Sequence, residues 1–165
     1  MKTHFIFLTL VLVLLTSVNG YASDINGYWQ QVDDKENRIN SLVKIDTVNG
    51  RVQATIVKGY PAPGKTLDPD ARCTACPGEF KDKKLIGLRF LWDLKADGNE
   101  WVDGQILDPT EGKIYRVNAT LSEGEATLTV RGYVGIELFG RSQTWRRFKG
   151  DVSEFETLSV KGAVE

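Results

Sequence analysis

Histidine is almost missing from this chain. The single histidine, His4, and the single methionine, Met1, both fall in an N-terminal segment that reads as a secretory signal peptide, residues 1–22. Lys2 gives it a positive start, residues 5–15 are apolar except Thr9, and Gly20 and Ala22 flank Tyr21 as small residues for cleavage. The apolar run is short for a bilayer span. Cleavage after Ala22 leaves a chain with no imidazole. That excludes Ser-His-Asp and Cys-His catalytic arrangements and His-ligated metal sites. It also removes the usual general base near neutral pH. No catalytic residue, metal or cofactor is therefore expected.

An excess of one charge is missing too. The chain carries 21 Lys and Arg against 22 Asp and Glu, with Lys2 inside the signal. Such a balance gives no electrostatic reason to expect nucleic acid as a partner. A second long apolar run is absent, so no membrane span is expected after cleavage. No cysteine lies at the cleavage point, so a lipoprotein anchor is not indicated. The expected location is periplasmic or secreted.

Short runs rich in Val, Ile, Thr and aromatic residues lie between recurrent turn signals. This is an all-β pattern. Eight strands are predicted, at about 27–33, 41–48, 51–59, 85–94, 100–107, 113–121, 125–133 and 141–148. Asn49-Gly50 is the strongest hairpin signal, because both residues tolerate the positive φ of a type I′ turn. Alternation supports the assignment. Val52, Ala54 and Ile56 share a face, as do Leu128 and Val130, and Tyr115, Val117, Ala119 and Leu121. The predicted domain is a barrel over residues 23–150, followed by a tail over 151–165. A short helix at 151–158 would turn Phe155 and Leu158 inward.

Four of the five prolines and both cysteines fall in residues 60–84. A connection this long inside a small domain is usually functional or disordered, and this one is expected across a barrel mouth. Its Cys73-Thr74-Ala75-Cys76 motif reads as a small disulfide loop in an exported chain. A redox centre is the competing reading, although that motif normally works at a helix N-terminus. Zinc would need four ligands, and two cysteines without histidine fall short.

Asp97 and Asp108 stand beside Gly98 and Pro109 and read as turn residues rather than a catalytic carboxylate pair. Trp92, Trp101, Tyr115, Arg131 and Tyr133 are large side chains on four consecutive predicted strands. They either pack the core or line a cavity with aromatic walls and one cation for an anionic headgroup. Trp29 on the first strand and Arg147 on the last are the candidates for closing one barrel end.

The stretches Gly27-Tyr28-Trp29, Cys73-Thr74-Ala75-Cys76-Pro77-Gly78, Ile86-Gly87-Leu88, Trp101-Val102-Asp103-Gly104-Gln105-Ile106-Leu107-Asp108-Pro109, Gly112-Lys113-Ile114-Tyr115, and Arg131-Gly132-Tyr133 through Arg147 together resemble a bacterial exported family, domain of unknown function 2147. The resemblance covers about residues 24–148 and implies a lipocalin-like, eight-stranded antiparallel up-and-down barrel. It implies a binding role, with no catalytic residue to carry over. The lipocalin Trp maps to Trp29 and the capping Arg to Arg147.

The expected function is binding of a small hydrophobic or amphipathic ligand, such as a fatty acid or lipid fragment, at Trp92, Trp101, Tyr115, Arg131 and Tyr133. Two alternatives stand beside it. One is an envelope interaction protein with a filled barrel. The other is a redox protein using Cys73 and Cys76.

Overall fold

Strands with one apolar face must bury that face, and this chain does so by closing one sheet on itself. The computed structural model describes residues 24–33, 36–153 and 155. Its strands are β1 (Gly27–Asp33), β2 (Arg38–Val48), β3 (Arg51–Gly59), β4 (Arg89–Asp97), β5 (Glu100–Asp108), β6 (Lys113–Leu121), β7 (Thr127–Tyr133) and β8 (Arg141–Arg147). Each pairs antiparallel with the next. β8 returns to β1 through Trp29↔Arg147, Gln30↔Arg146 and Gln31↔Trp145, which closes the barrel. Closure removes the unpaired edges that invite aggregation.

The eight predicted strands are all present. β2 starts at Arg38 rather than 41, and β4 starts at Arg89 rather than 85. Asn49 and Gly50 have φ of 51° and 73°, as the type I′ turn between β2 and β3 requires.

Register shifts interrupt the alternation at several points, and two of them fall at aspartates with left-handed backbone. Asp93 and Asp103 have φ of 63° and 60°. The register shifts by one residue at each, between Leu91 and Leu94 against β3 and between Trp101 and Gly104 against β6. Residues three apart therefore point the same way, and all four are buried.

The two ends of the barrel differ. One end is packed solid by Trp29, Ile45, Val52, Leu94, Trp101, Leu128 and Trp145, members of one buried cluster. A Cβ on Gly104 would stand 2.6 Å from Leu94 Cγ and 3.0 Å from Val117 Cγ1, so only glycine fits there. Trp29 donates its indole N–H to the Ile25 carbonyl at 2.9 Å. The Arg147 guanidinium lies over the Trp29 ring, 4.3 Å from its centroid. Arg146 points elsewhere and donates to Asn37 at 3.0 Å.

The 60–84 connection is not where the sequence placed it. It does not lie across a mouth. Phe80, in the one-turn helix Gly78–Phe80, stacks on Trp92 with centroids 5.1 Å apart. The connection also presses on the β5–β6 turn, where Cys73 Sγ is 3.3 Å from the Pro109 carbonyl oxygen. A Cβ on Gly112, whose φ is 69°, would overlap the Ala75 carbonyl. Packing of Phe80 and Leu85 against the barrel, with Cys73 and Cys76 buried beside them, holds the connection there. Cys73 and Cys76 form a disulfide with Cα atoms 5.3 Å apart.

Beyond β8, Phe155 is buried on the outer side of the barrel with Tyr28 and Leu42. Leu158 and the predicted signal peptide, 1–22, lie outside the described residues. Among the described residues no helix is long and apolar enough to cross a membrane.

Candidate ligand-binding cavity

The half of the barrel opposite Trp29 holds a cavity of about 540 Å³. That volume is in the range of sites for small molecules, roughly 300–1,000 Å³. Its walls come from strand ends. Ile56, Phe90, Ile106 and Val130 supply apolar surface, and Gly132 supplies none of its own bulk. A Cβ at Gly132 would meet Ile106 Cγ2 at 3.7 Å and Tyr115 Cβ at 3.8 Å. Those are ordinary contacts, so the missing side chain widens the cavity rather than relieving a clash. Phe90 sits at the floor, its ring 6.0 Å from that of fully buried Trp145.

Polar side chains make up half of the lining. Gln31, Asn40 and Gln143 line the cavity. The Gln31 amide oxygen accepts a hydrogen bond from the Ser41 hydroxyl, which fixes its orientation. The rim is formed by Asp108, Pro109, Thr110 and Glu111 of the β5–β6 turn, with Arg141 opposite. Lys113 Nζ lies 2.9 Å from Glu111 Oε2, and the Tyr115 hydroxyl donates to the same oxygen at 3.3 Å.

These contacts bias protonation. The Lys113 hydrogen bond and charge hold the Glu111 carboxyl below its ordinary range. Glu111 in turn raises Lys113. Desolvation, and then the Glu111 charge, raise the Tyr115 phenol. At neutral pH the rim therefore offers an ionised carboxylate–ammonium pair beside a neutral phenol.

Of the residues singled out from sequence, Tyr115 and Tyr133 line the cavity. Trp92, Trp101 and Arg131 do not. Trp92 is on the outer face against Phe80. Trp101 is 5% exposed within the packed end. Arg131 turns outward and donates to the carbonyls of Glu137 and Leu138 and to the Ser142 hydroxyl. Gln31, Asn40, Arg141 and Gln143 escaped the sequence reading, because isolated polar residues on strands look like solvent-facing positions. Among the described residues no group of three or more His, Cys, Asp or Glu is arranged to hold a metal.

A family model described as "Uncharacterized protein conserved in bacteria (DUF2147)" matches residues 27–147, from the first residue of β1 to the last of β8. The chain belongs to that family. It is also similar to a solved structure, protein HP1028 from the human pathogen Helicobacter pylori, which belongs to the lipocalin family. The two share 20% identity with a TM-score of 0.63, over 82% of this chain and 89% of that one. At this identity the likeness establishes the fold. Among curated proteins none matches this chain. In this DUF2147 chain the two ends of the barrel differ in packing. Trp29 and Arg147 belong to the sealed end, and the cavity belongs to the other.

Proposed function

We propose that this DUF2147 protein is an exported carrier or sensor that holds a small amphiphile, such as a fatty acid or lipid fragment, in its barrel. The single observation that carries the reading is the cavity, open at one end, apolar at its floor, with Asp108, Glu111 and Arg141 at a rim that also carries exposed Val134 and Phe139. An amphiphile matches that arrangement. Its chain would lie along Ile56, Ile106 and Val130 towards Phe90, where burying each CH₂ is worth about 0.8 kcal/mol. Its head would remain at the rim, within reach of Arg141 and the Glu111–Lys113 pair. The amides of Gln31, Asn40 and Gln143 suit a ligand with a further hydroxyl, ester or amide along its length.

The signal-like residues 1–22 support export to the periplasm or beyond. The Cys73–Cys76 disulfide fits an oxidising compartment. A binding role needs no catalytic group, and among the described residues none that lines the cavity is His or Cys. The open cavity weighs against a filled barrel, and the position of Cys73 and Cys76 behind the β5–β6 turn weighs against a redox role.

Titration with a fluorescent polyene fatty acid tests the reading. We expect saturable one-to-one binding, with the probe shielded from aqueous quencher. Emission unchanged up to the solubility limit of the probe and of a matched long-chain amine would overturn it.

A further inference from the structure

The connection from β7 to β8 has an unusual composition for a turn. Val134, Ile136, Leu138 and Phe139 are 72%, 60%, 77% and 78% exposed. Four large apolar side chains within six residues face solvent, where turns normally place polar ones. Single exposed apolar residues are unremarkable, but a contiguous patch marks a binding surface.

We infer that this connection is a lip that docks on a lipid bilayer surface and passes the amphiphile to the cavity. The inference rests on the amphiphile reading above. Three observations select a lipid surface over other partners. First, Val134 and Phe139 belong both to the patch and to the cavity lining. Whatever covers the lip is continuous with the cavity contents, as acyl chains would be. Second, the one acidic residue of the segment, Glu137, is turned back onto the barrel. Its carboxylate accepts from Asn118 Nδ2 at 3.0 Å and lies 4.0 Å from Arg131 Nε. The apolar side chains are left outermost, and exposed Arg141 follows directly with a charge suited to anionic headgroups. Third, the patch is small. Four side chains present a few hundred Å², short of the roughly 800 Å² per partner of a standard protein interface. Shallow insertion among headgroups and acyl chains needs no such area. The near-neutral net charge means that apolar contact, not long-range attraction, supplies most of the affinity.

Flotation with vesicles of phosphatidylethanolamine and phosphatidylglycerol tests the lip. The protein should begin at residue 23, so that the apolar run at 5–15 does not contribute. All eight strands lie within 27–147, so this chain keeps the whole barrel. The informative variant is Ile136→Ser with Leu138→Ser, since neither residue lines the cavity. We expect the parent protein to float with vesicles and the variant to lose at least tenfold in partitioning. Binding of the soluble fatty-acid probe, measured without vesicles, should change less than threefold. A parent that stays in the dense fraction, or a variant that floats equally well, overturns the lip. So does a concentration-dependent dimer of the parent that the variant abolishes, which would make a second copy the partner. Vesicle binding by the parent without any probe binding would leave the lip standing and sink the amphiphile reading of the cavity.

Discussion

Arg147 and Trp29 join the last strand of the barrel to the first by more than backbone pairing. The guanidinium covers the indole at 4.3 Å and donates to three carbonyls, those of Glu125 at 2.7 Å, Asn26 at 2.9 Å and Asp24 at 2.6 Å. One side chain therefore ties the N-terminal approach, the β6–β7 connection and the sealed end together. Arg147→Ala removes the cation–π contact and leaves carbonyls unpaired, which should cost about 2–4 kcal/mol. Arg147→Lys should recover less than half, because an ammonium cannot spread three donors over that plane. Urea unfolding measures both. Equal stability of the lysine variant and the parent would contradict this role.

Gly104 should be intolerant of any side chain. Gly104→Ala forces a methyl against Leu94 and Val117, and overpacking of this kind costs about 1–3 kcal/mol. A lowered Tm by several degrees is expected, with probe binding retained, because Gly104 is on the packed side of the floor.

Ligand should be reported by the tryptophan beneath the cavity, not by the one outside. Trp145 lies against Phe90 at the floor, whereas Trp92 is stacked on Phe80 across the barrel wall. Trp92→Phe should leave the absolute ligand-induced change in emission intact while lowering the background. A change abolished by Trp92→Phe would put the ligand elsewhere.

The rim should titrate as a unit. Glu111→Gln removes two of the influences that raise the Tyr115 phenol, while desolvation remains. The phenol should ionise at lower pH in the variant, though still above ordinary tyrosine. The difference between each protein and its Tyr115→Phe counterpart, read from ultraviolet absorbance, isolates that group. The stability consequences have opposite signs. A raised Tyr115 contributes stability that is complete below the ordinary tyrosine pKa and is lost as pH rises through the folded value. A lowered Glu111 contributes above the ordinary carboxylate pKa and loses its share as pH falls through the folded value. Between about pH 5 and 9 neither group should change stability.

The sequence foretold the barrel better than its contents, and the bulges explain why. Period-two patterns place Val117, Ala119 and Leu121 on the inner face, and Asn49-Gly50 sets the register of its hairpin. Asp93 and Asp103 break the period in β4 and β5, the two strands that carry Trp92 and Trp101. A single register step reverses every face beyond it, so neither tryptophan could be assigned inward or outward from pattern alone. Arg131 alternates correctly with inward Val130. Its outward partners are the carbonyls of the β7–β8 connection, whose path depends on tertiary packing. The lip was visible in the residues themselves, as Val134, Ile136, Leu138 and Phe139 occupy a turn. They fall between the predicted strands 125–133 and 141–148, and without the barrel mouth beside them nothing marks them as a docking surface.

The most direct test is mass spectrometry of solvent extracts from freshly purified parent and Gly132→Leu proteins, both beginning at residue 23. Gly132 faces the cavity with room for a side chain and no positive φ. Leucine there should fill the space and change stability by less than about 1 kcal/mol. We expect a specific amphiphile, close to stoichiometric, in the parent extract and at least tenfold less in the variant. Equal amounts of the same amphiphile in both extracts, with both proteins folded, would contradict binding in the barrel.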